Sequence, residues 1–210
     1  GKVGGFTYKT FSFALENDWD ISDLWHTSLK LGHAPGQPNV GQGLLPETYR
    51  AFFFNPNYKL GLIMFNYQLN AFSGPHSLNN SNTPINSLSS PFNNPIVNAN
   101  YLSWNGVLKL EKWHFRTVWT FASAHQSAKA GSRFYNTWEH RFVDNTANDQ
   151  ASFLGWEMDY GISFLWDDKF RFDFDFGVHF PGAYYQFSNA PTGNTLTTVF
   201  GTVFKAGVFF

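Results

Sequence analysis

The chain has 210 residues and a formal net charge of −1, so it lacks the basic excess expected of a nucleic-acid-binding protein. Aromatic residues make up 20% and charged residues only 14% of the chain, yet no run of about 18 apolar residues predicts a transmembrane helix. The absence of cysteine excludes a fold held by disulfides. The first residues lack the apolar run of a signal peptide, which predicts a mature, processed or fragmentary chain.

The first half of the chain predicts four strands separated by polar segments. Alternation of apolar and polar residues places these strands at 6–15, 24–31, 49–54 and 59–72. Tight turns are predicted at 16–20 and 55–57, and longer loops at 32–46 and 73–98. The first loop is rich in glycine and proline, and the second in serine, asparagine and proline. These residue types are typical of loops.

The second half predicts five strands with a clearer two-residue period. They cover residues 101–110, 113–126, 153–164, 170–180 and 200–210. Short turns are predicted at 111–112 and 167–169, and long polar loops at 127–150 and 187–195. In strand 170–180, five phenylalanines and one valine alternate with a set that includes charged side chains. This alternation predicts a strand with one apolar and one charged face.

Strand length and the order of connections decide between a soluble sandwich and a membrane barrel. Strands of both classes alternate apolar and polar residues. The strands predicted here reach about 14 residues, whereas strands of globular proteins typically have ~5–6. A strand of ~9–11 residues is long enough to cross a bilayer. Aromatic residues cluster near strand ends, and short and long connections alternate, as in outer-membrane barrels. The sequence therefore predicts one domain over residues 1–210, a transmembrane antiparallel up-and-down β-barrel of the Gram-negative outer membrane.

The strand count predicts that this domain is part of a larger barrel. Single-chain bacterial barrels have an even number of strands, and about nine are predicted here. The alternatives are a chain that is incomplete at its N-terminus and a strand count that is wrong by one around residues 49–57. We favour the first and expect the C-terminal portion of a barrel of about 16–18 strands.

Two motifs in the C-terminal hairpin resemble a known family. They are Leu-Gly-Trp-Glu-Met-Asp at residues 154–159 and Phe-Pro-Gly at residues 180–182, followed by Tyr184 and Tyr185. The hairpin resembles that of the alginate-export-like family of Gram-negative outer-membrane channels, whose characterised member is a large barrel that exports an anionic polysaccharide. The resemblance implies a passive, porin-like channel of similar build.

The two faces of the predicted strands have different expected partners. The charged face is expected to line a wet lumen and to set its selectivity, although cross-strand pairing of opposite charges is an alternative role. The lumen-lining candidates are Lys30, Lys109, His114, Arg116, Glu157, Asp159, Arg171, Asp173, Asp175, His179 and Lys205. The lipid-facing candidates are Trp104, Trp119, Trp156, Phe170, Phe172, Phe174, Phe176, Phe204 and Phe210.

Catalytic motifs are weakly represented. No histidine pair has the spacing of a zinc-binding helix, and neither a nucleophile elbow nor a nucleotide-binding loop is present. Ser123 and His125 lie two residues apart near a strand end, and Glu157 and Asp159 lie roughly 7 Å apart on one strand face. Rim and lumen positions explain both pairs without catalysis, so we expect no enzyme activity, no cofactor and no metal.

These features lead to three functional hypotheses. The first is passive passage or export of small hydrophilic or anionic solutes through a hydrated channel. The second is a structural or adhesive barrel with a plugged lumen that binds a partner protein through its loops or wall. The third is a soluble, aromatic-rich carbohydrate-binding sandwich. In the membrane hypotheses the expected partners are outer-membrane lipid and, through the C-terminal aromatic strand, the barrel-assembly machinery.

Overall fold

The computed structural model describes the chain in several stretches. These are residues 2–3, 6–36, 48–55, 57–66, 96–127, 129–131, 133–136, 141–144, 149–166, 169–186 and 196–209. The strands in this part of the chain are β1 (Lys2–Val3), β2 (Phe6–Tyr8), β3 (Phe13–Asp20), β4 (Trp25–Ala34), β5 (Thr48–Tyr49), β6 (Ala99–Leu110), β7 (Trp113–Ala124), β8 (Arg133–Asn136), β9 (Arg141–Asp144), β10 (Phe153–Trp166), β11 (Phe170–Pro181) and β12 (Val199–Val208). A short 3-10 helix, Ala183–Gln186, lies between β11 and β12.

Seven strands form one antiparallel sheet in the order β3-β4-β6-β7-β10-β11-β12. Each strand pairs with the next long strand of the chain, so the sheet is a meander. Strand β10 has 14 residues, and β6, β7 and β11 have 12 each. The prediction of an all-β chain with long antiparallel strands is confirmed.

The connections of this sheet alternate in length, as the sequence predicts. The short links all lie at one end of the sheet, which we call the turn end, and the long links lie at the other, the loop end. The short links are 21–24, 111–112 and 167–169, and the long links are 35–98, 125–152 and 182–198. Two of the long links carry small strands: β5 pairs in parallel with β2, and β8 pairs with β9.

One predicted turn is wrong. Residues 16–20 belong to β3, where Glu16 pairs in register with Lys30 of β4. The Lys30 ammonium lies 3.2 Å from the Glu16 carboxylate, so a cross-strand ion pair supports a segment whose composition favours a turn. The chain reverses later, at 21–24.

Two predicted strands are shorter in the structure. The non-strand residues 9–12 divide the predicted strand 6–15 into β2 and β3. Of the predicted strand 49–54 only the first residue lies in a strand, β5. The following segment runs along the loop end instead, where the Phe52 and Phe54 amides donate to the carbonyls of Pro35 and Ile96, both at 3.0 Å.

The largest error concerns the predicted strand 59–72. Residues 59–66 form no strand, and Ile63, Met64 and Phe65 are buried. Phe65 has a positive φ of 59°, which ends any extended conformation there. Residues 67–72 lie outside the described part of the chain, as do residues 73–95 of the predicted loop 73–98, residues 187–195 and Phe210.

The apolar face of the sheet is widely exposed. The row on β11 shows this: the Phe174 residue is 47% exposed, and its cross-strand partner Phe204 is 67% exposed. The same face carries exposed Trp, Tyr, Phe, Leu and Ile side chains on the other long strands, namely Leu15, Trp19, Leu102, Trp113, Phe115, Trp119, Phe121, Phe153, Tyr160, Ile162, Trp166, Phe170 and Phe200.

The packed core lies on the opposite, polar face, at its loop end. There the sheet presents small residues such as Ala34, Ala99 and Ala124 from the ends of β4, β6 and β7. Residues 58–66, which we call the insert, lay Leu60, Met64 and Phe65 against them, together with Leu154 and Tyr184 from the C-terminal hairpin. The long link therefore folds back over the polar face at its loop end.

Candidate functional site

The centre of the polar face is built by strands β7, β10 and β11. Register places Glu157 between Thr120 and His179, and places Asp159 between Val118 and Gly177. Since side chains two residues apart share a strand face, both carboxylates point to the insert. Glu157 is 0% exposed and Asp159 is 4% exposed, so burial of two acidic groups requires strong local donors.

Three consecutive backbone amides of the insert supply these donors. Leu62 N–H donates to Asp159 Oδ2 at 3.0 Å, and Ile63 N–H donates to Glu157 Oε1 at 2.7 Å. Met64 N–H donates to Glu157 Oε2. These three hydrogen bonds, which we call the latch, hold the insert on the sheet.

A closing turn keeps the three amides aligned. Asn66 N–H donates to the Ile63 carbonyl at 3.1 Å, and the Asn66 side-chain amide donates to the Leu62 carbonyl at 2.9 Å. The insert therefore satisfies its own carbonyls while its amides face Glu157 and Asp159.

Glycines on the sheet and on the insert leave space for the insert to approach the sheet. Gly177 of β11 and Gly201 of β12 face each other across the strands. A Cβ atom at 177 would lie 3.1 Å from a Leu62 side-chain carbon, and one at 201 would lie 3.1 Å from Ile63 Cγ1. Gly61 has the same role on the insert, since a Cβ there would lie 2.6 Å from Glu157 Oε1. Side chains at these positions would push the insert off the sheet.

Aromatic contacts anchor the start of the insert. The Tyr58 hydroxyl lies 3.0 Å from that of Tyr101 on β6, and the Lys30 ammonium lies 5.5 Å from the Tyr58 ring centre. Burial raises the pKa of the Tyr58 hydroxyl, and the Tyr101 hydroxyl raises it further, so Tyr58 stays neutral. The Tyr101 ring in turn occupies the space above Gly32, its cross-strand partner.

The two C-terminal motifs meet beside the insert. The β7–β10 register shifts at Gly155, which has a φ of 113°, and this bulge aims the following residues. Gly155 approaches the backbone of Phe180 and Gly182 too closely for any side chain, and Gly182 N–H donates to the Leu154 carbonyl at 3.0 Å. The motif Leu-Gly-x-Glu-x-Asp thus supplies a core residue, the bulge and both carboxylates of the latch.

Ion pairs cover the polar face between the insert and the turn end. Arg116 Nη2 lies 2.5 Å from Asp175 Oδ1, and Lys205 Nζ lies 3.8 Å from Asp175 Oδ2. Arg171 Nε lies 2.9 Å from Asp173 Oδ1. The basic groups lie outermost, since the Arg116 side chain is 47% exposed and that of Asp175 only 10%.

The predicted lumen-lining residues therefore share one face but divide into two environments. Four of these residues are buried, and seven are half-buried or exposed. The buried residues are Glu157, Asp159, Asp175 and His179, and the others are Lys30, Lys109, His114, Arg116, Arg171, Asp173 and Lys205. Cross-strand ion pairing occurs in several of these residues, and a role in selectivity stays a prediction.

The predicted lipid-facing residues lie on the opposite face. Those in the described part of the chain are Trp104, Trp119, Trp156, Phe170, Phe172, Phe174, Phe176 and Phe204, and all are half-buried or exposed. Near the loop end Trp156 stacks on Phe180 with ring centres 4.5 Å apart, and near the turn end Trp113 contacts Phe164 at 4.4 Å.

The two pairs considered for catalysis have structural partners. His125 Nδ1 accepts a hydrogen bond from Gly36 N–H at 3.2 Å, and its ring meets His33 edge-on at 4.8 Å. These contacts direct His125 toward β4 rather than toward Ser123. The carboxylates of Glu157 and Asp159 are bonded to the insert.

Sequence reasoning missed the insert. Its signal is the run Leu60-Gly-Leu-Ile-Met-Phe65, in which apolar residues are adjacent rather than alternating. A run of that kind indicates burial on all sides rather than a strand with one polar face.

No protein-family model matches the chain, and neither does any curated protein. Among the described residues, no helix has the length and apolar character needed to cross a membrane. Within the same stretches, histidine, aspartate and glutamate form no group of three or more that could hold a metal ion.

Proposed function

We propose that the chain contributes its seven-stranded sheet to the wall of a β-barrel channel in a Gram-negative outer membrane. The channel passes small hydrophilic or anionic solutes by diffusion through a hydrated lumen. One observation carries the proposal: an exposed apolar face runs across all seven strands, and ionised side chains occupy the opposite face. A single-layer sheet with these two faces matches lipid on one side and water on the other.

The dimensions of the apolar face fit an outer membrane. Trp156 lies near the loop end of β10 and Trp166 at its turn end. Ten residues at ~3.3 Å each span about 33 Å along the strand. With the usual strand tilt of about 35–45°, this spacing gives roughly 25 Å between the two aromatic levels, close to the height of the apolar band in known barrels.

The connections also fit this orientation. Outer-membrane barrels have short turns on the periplasmic side and long loops outside. The short links at 21–24, 111–112 and 167–169 lie at the turn end, so the proposal places the turn end in the periplasm and the insert near the outer mouth. The resemblance of the C-terminal hairpin to the alginate-export-like family agrees with a channel of this type.

The insert favours one alternative function, a structural or adhesive barrel whose lumen is plugged. The insert covers Glu157 and Asp159 and packs on the polar face at the loop end. A barrel closed in this way would act through its outer loops or its wall, with a protein partner. The two functions differ in one measurable property, the passage of ions.

Planar bilayer recording tests the proposal. The purified full-length protein, folded in detergent, is expected to insert and to give stepwise ion conductance. Silence at high protein concentration, with correct folding shown by circular dichroism, would support the plugged barrel. Solubility of the folded chain without detergent would contradict both membrane functions and favour the carbohydrate-binding sandwich.

A further inference from the structure

We infer that the insert is a releasable constriction of the channel, latched in its closed position by Glu157 and Asp159. The inference rests on the proposed channel function, because a constriction matters only where solutes pass. The structural observations behind it concern how the insert is held, what it touches and what its departure would disturb.

The latch joins a strand that is paired on both sides to a segment outside the sheet. Strand β10 is paired along its length with both β7 and β11, so Glu157 and Asp159 are fixed acceptors. The insert belongs to no strand, and its three latch bonds run from successive backbone amides to these two side chains. The insert can therefore leave without breaking any hydrogen bond of the sheet.

The surface beneath the middle of the insert lacks side chains. Leu62 and Ile63 rest over Gly177 and Gly201, which offer no side chain to interlock with them. Packing of this kind is non-directional, whereas the three latch bonds are directional. The carboxylates therefore determine where the insert sits.

Release would uncover the core residues Leu60, Met64 and Phe65, so the closed position is the favoured one. The polar groups that release leaves behind can be accommodated by a hydrated lumen. Glu157 and Asp159 would exchange backbone donors for water, and Arg116 already stands on the same face beside Asp175. After release, the carboxyl groups of Glu157 and Asp159 would be hydrated rather than buried without partners. The closed and open arrangements differ by a short segment and leave the sheet unchanged.

Isosteric substitution of a latch carboxylate tests how the insert is held. In Glu157→Gln one acceptor oxygen becomes an NH2 group, which faces the backbone N–H of Ile63 or Met64 and cannot accept from it. Hydrogen exchange of the Ile63 and Met64 amides, measured by mass spectrometry on the folded protein in detergent, is expected to become at least about tenfold faster.

The matched control is Asp149→Asn. Asp149 also accepts a backbone hydrogen bond, from Ala130 N–H at 2.9 Å, but it lies in the long link before β10, away from the insert. Exchange of the insert amides is expected to stay at the wild-type rate in this variant. Equal exchange rates in wild type, Glu157→Gln and Asp149→Asn would overturn the latch.

A disulfide tests whether the insert moves during conduction. A Cβ at 201 would lie 3.1 Å from Ile63 Cγ1, which brings cysteines at 63 and 201 near the ~3.5–4.5 Å Cβ separation of a disulfide. The chain has no other cysteine. In the variant Ile63→Cys with Gly201→Cys, the oxidised form is expected to conduct less than the reduced form, and reductant is expected to reverse the difference.

The control pair is Ile63→Cys with Gly207→Cys, because nothing lies within 4 Å of a Cβ at 207. Its conductance is expected to be independent of reductant. Failure of the 63–201 pair to crosslink would overturn the placement of the insert, and equal conductance of its two forms would overturn the moving constriction. Silence of every form, wild type included, would instead overturn the channel function, while the exchange measurement still decides the latch.

Discussion

At the scale of single residues, positions without a side chain determine the shape of the site. Gly155 combines a φ of 113° with close approach to the Phe180 carbonyl oxygen. Its bulge sets the register from which Glu157 and Asp159 reach the insert. The sequence predicts the strand and its charged face, but a glycine inside an alternating pattern does not say that its φ is positive, because that depends on the backbone that crosses it.

The substitution Gly155→Ala tests this role. An added Cβ meets both an unfavourable φ and the backbone of Phe180, so we expect the free energy of unfolding to fall by about 3 kcal/mol or more. Gly131→Ala is the control, since Gly131 has a φ of 77° and nothing within 4 Å of a Cβ, and it should cost only about 1 kcal/mol. Urea unfolding of the lipid-reconstituted protein, followed by tryptophan fluorescence, measures both. Equal losses would show that the close backbone approach contributes nothing.

At the scale of elements, the long strands of the C-terminal half could be predicted and the insert could not. Strands β6, β7, β10, β11 and β12 repeat apolar and polar residues with a period of two, and each lies within a few residues of its predicted bounds. Their pattern can be recognised locally, because each residue lies on either the apolar or the polar face of the sheet. The insert does not follow this two-residue period. Its partners, Glu157 and Gly201, are far away in the sequence, and its backbone amides bond to side chains rather than to a neighbouring strand.

Gly201→Val tests how the insert depends on the strand beneath it. Valine favours strands, yet here its methyl groups would collide with Ile63, whose Cγ1 lies 3.1 Å from the Cβ position. We expect a loss of about 1–3 kcal/mol in stability together with faster exchange of the Ile63 amide. Gly207→Val on the same strand face meets nothing within 4 Å and should be neutral or stabilising. A stabilising Gly201→Val would mean that the insert does not rest on β12.

At the scale of the whole molecule, the meander and its two faces follow from properties visible in the sequence. Alternating charges and aromatics predict which residues share a face, and turn and loop composition predicts which strands are neighbours. The burial of Glu157, Asp159, Asp175 and His179 could not be predicted, because alternation distinguishes the two faces and does not show that a distant segment covers one of them. The distribution of exposed apolar surface then becomes the property on which the proposed function depends.

The substitution Phe174→Arg tests which face meets lipid. Phe174 lies between the aromatic levels at the two ends of β11, and its residue is 47% exposed. An arginine near the bilayer midplane costs about 2–4 kcal/mol, so we expect the variant to fail to assemble in lipid vesicles. Its neighbour Asp173 points to the other face, where it accepts hydrogen bonds from Ser163 and Arg171.

Asp173→Asn is therefore the paired change on the opposite face. An amide oxygen can still accept from Arg171, and this side of the sheet meets water in the proposal, so assembly should be retained. Heat-modifiable electrophoretic mobility after refolding into vesicles measures assembly in both variants. If Asp173→Asn abolished assembly while Phe174→Arg folded normally, the assignment of the two faces would be reversed. The aromatic face would then be the inner one, and the face that carries Asp173 would meet lipid.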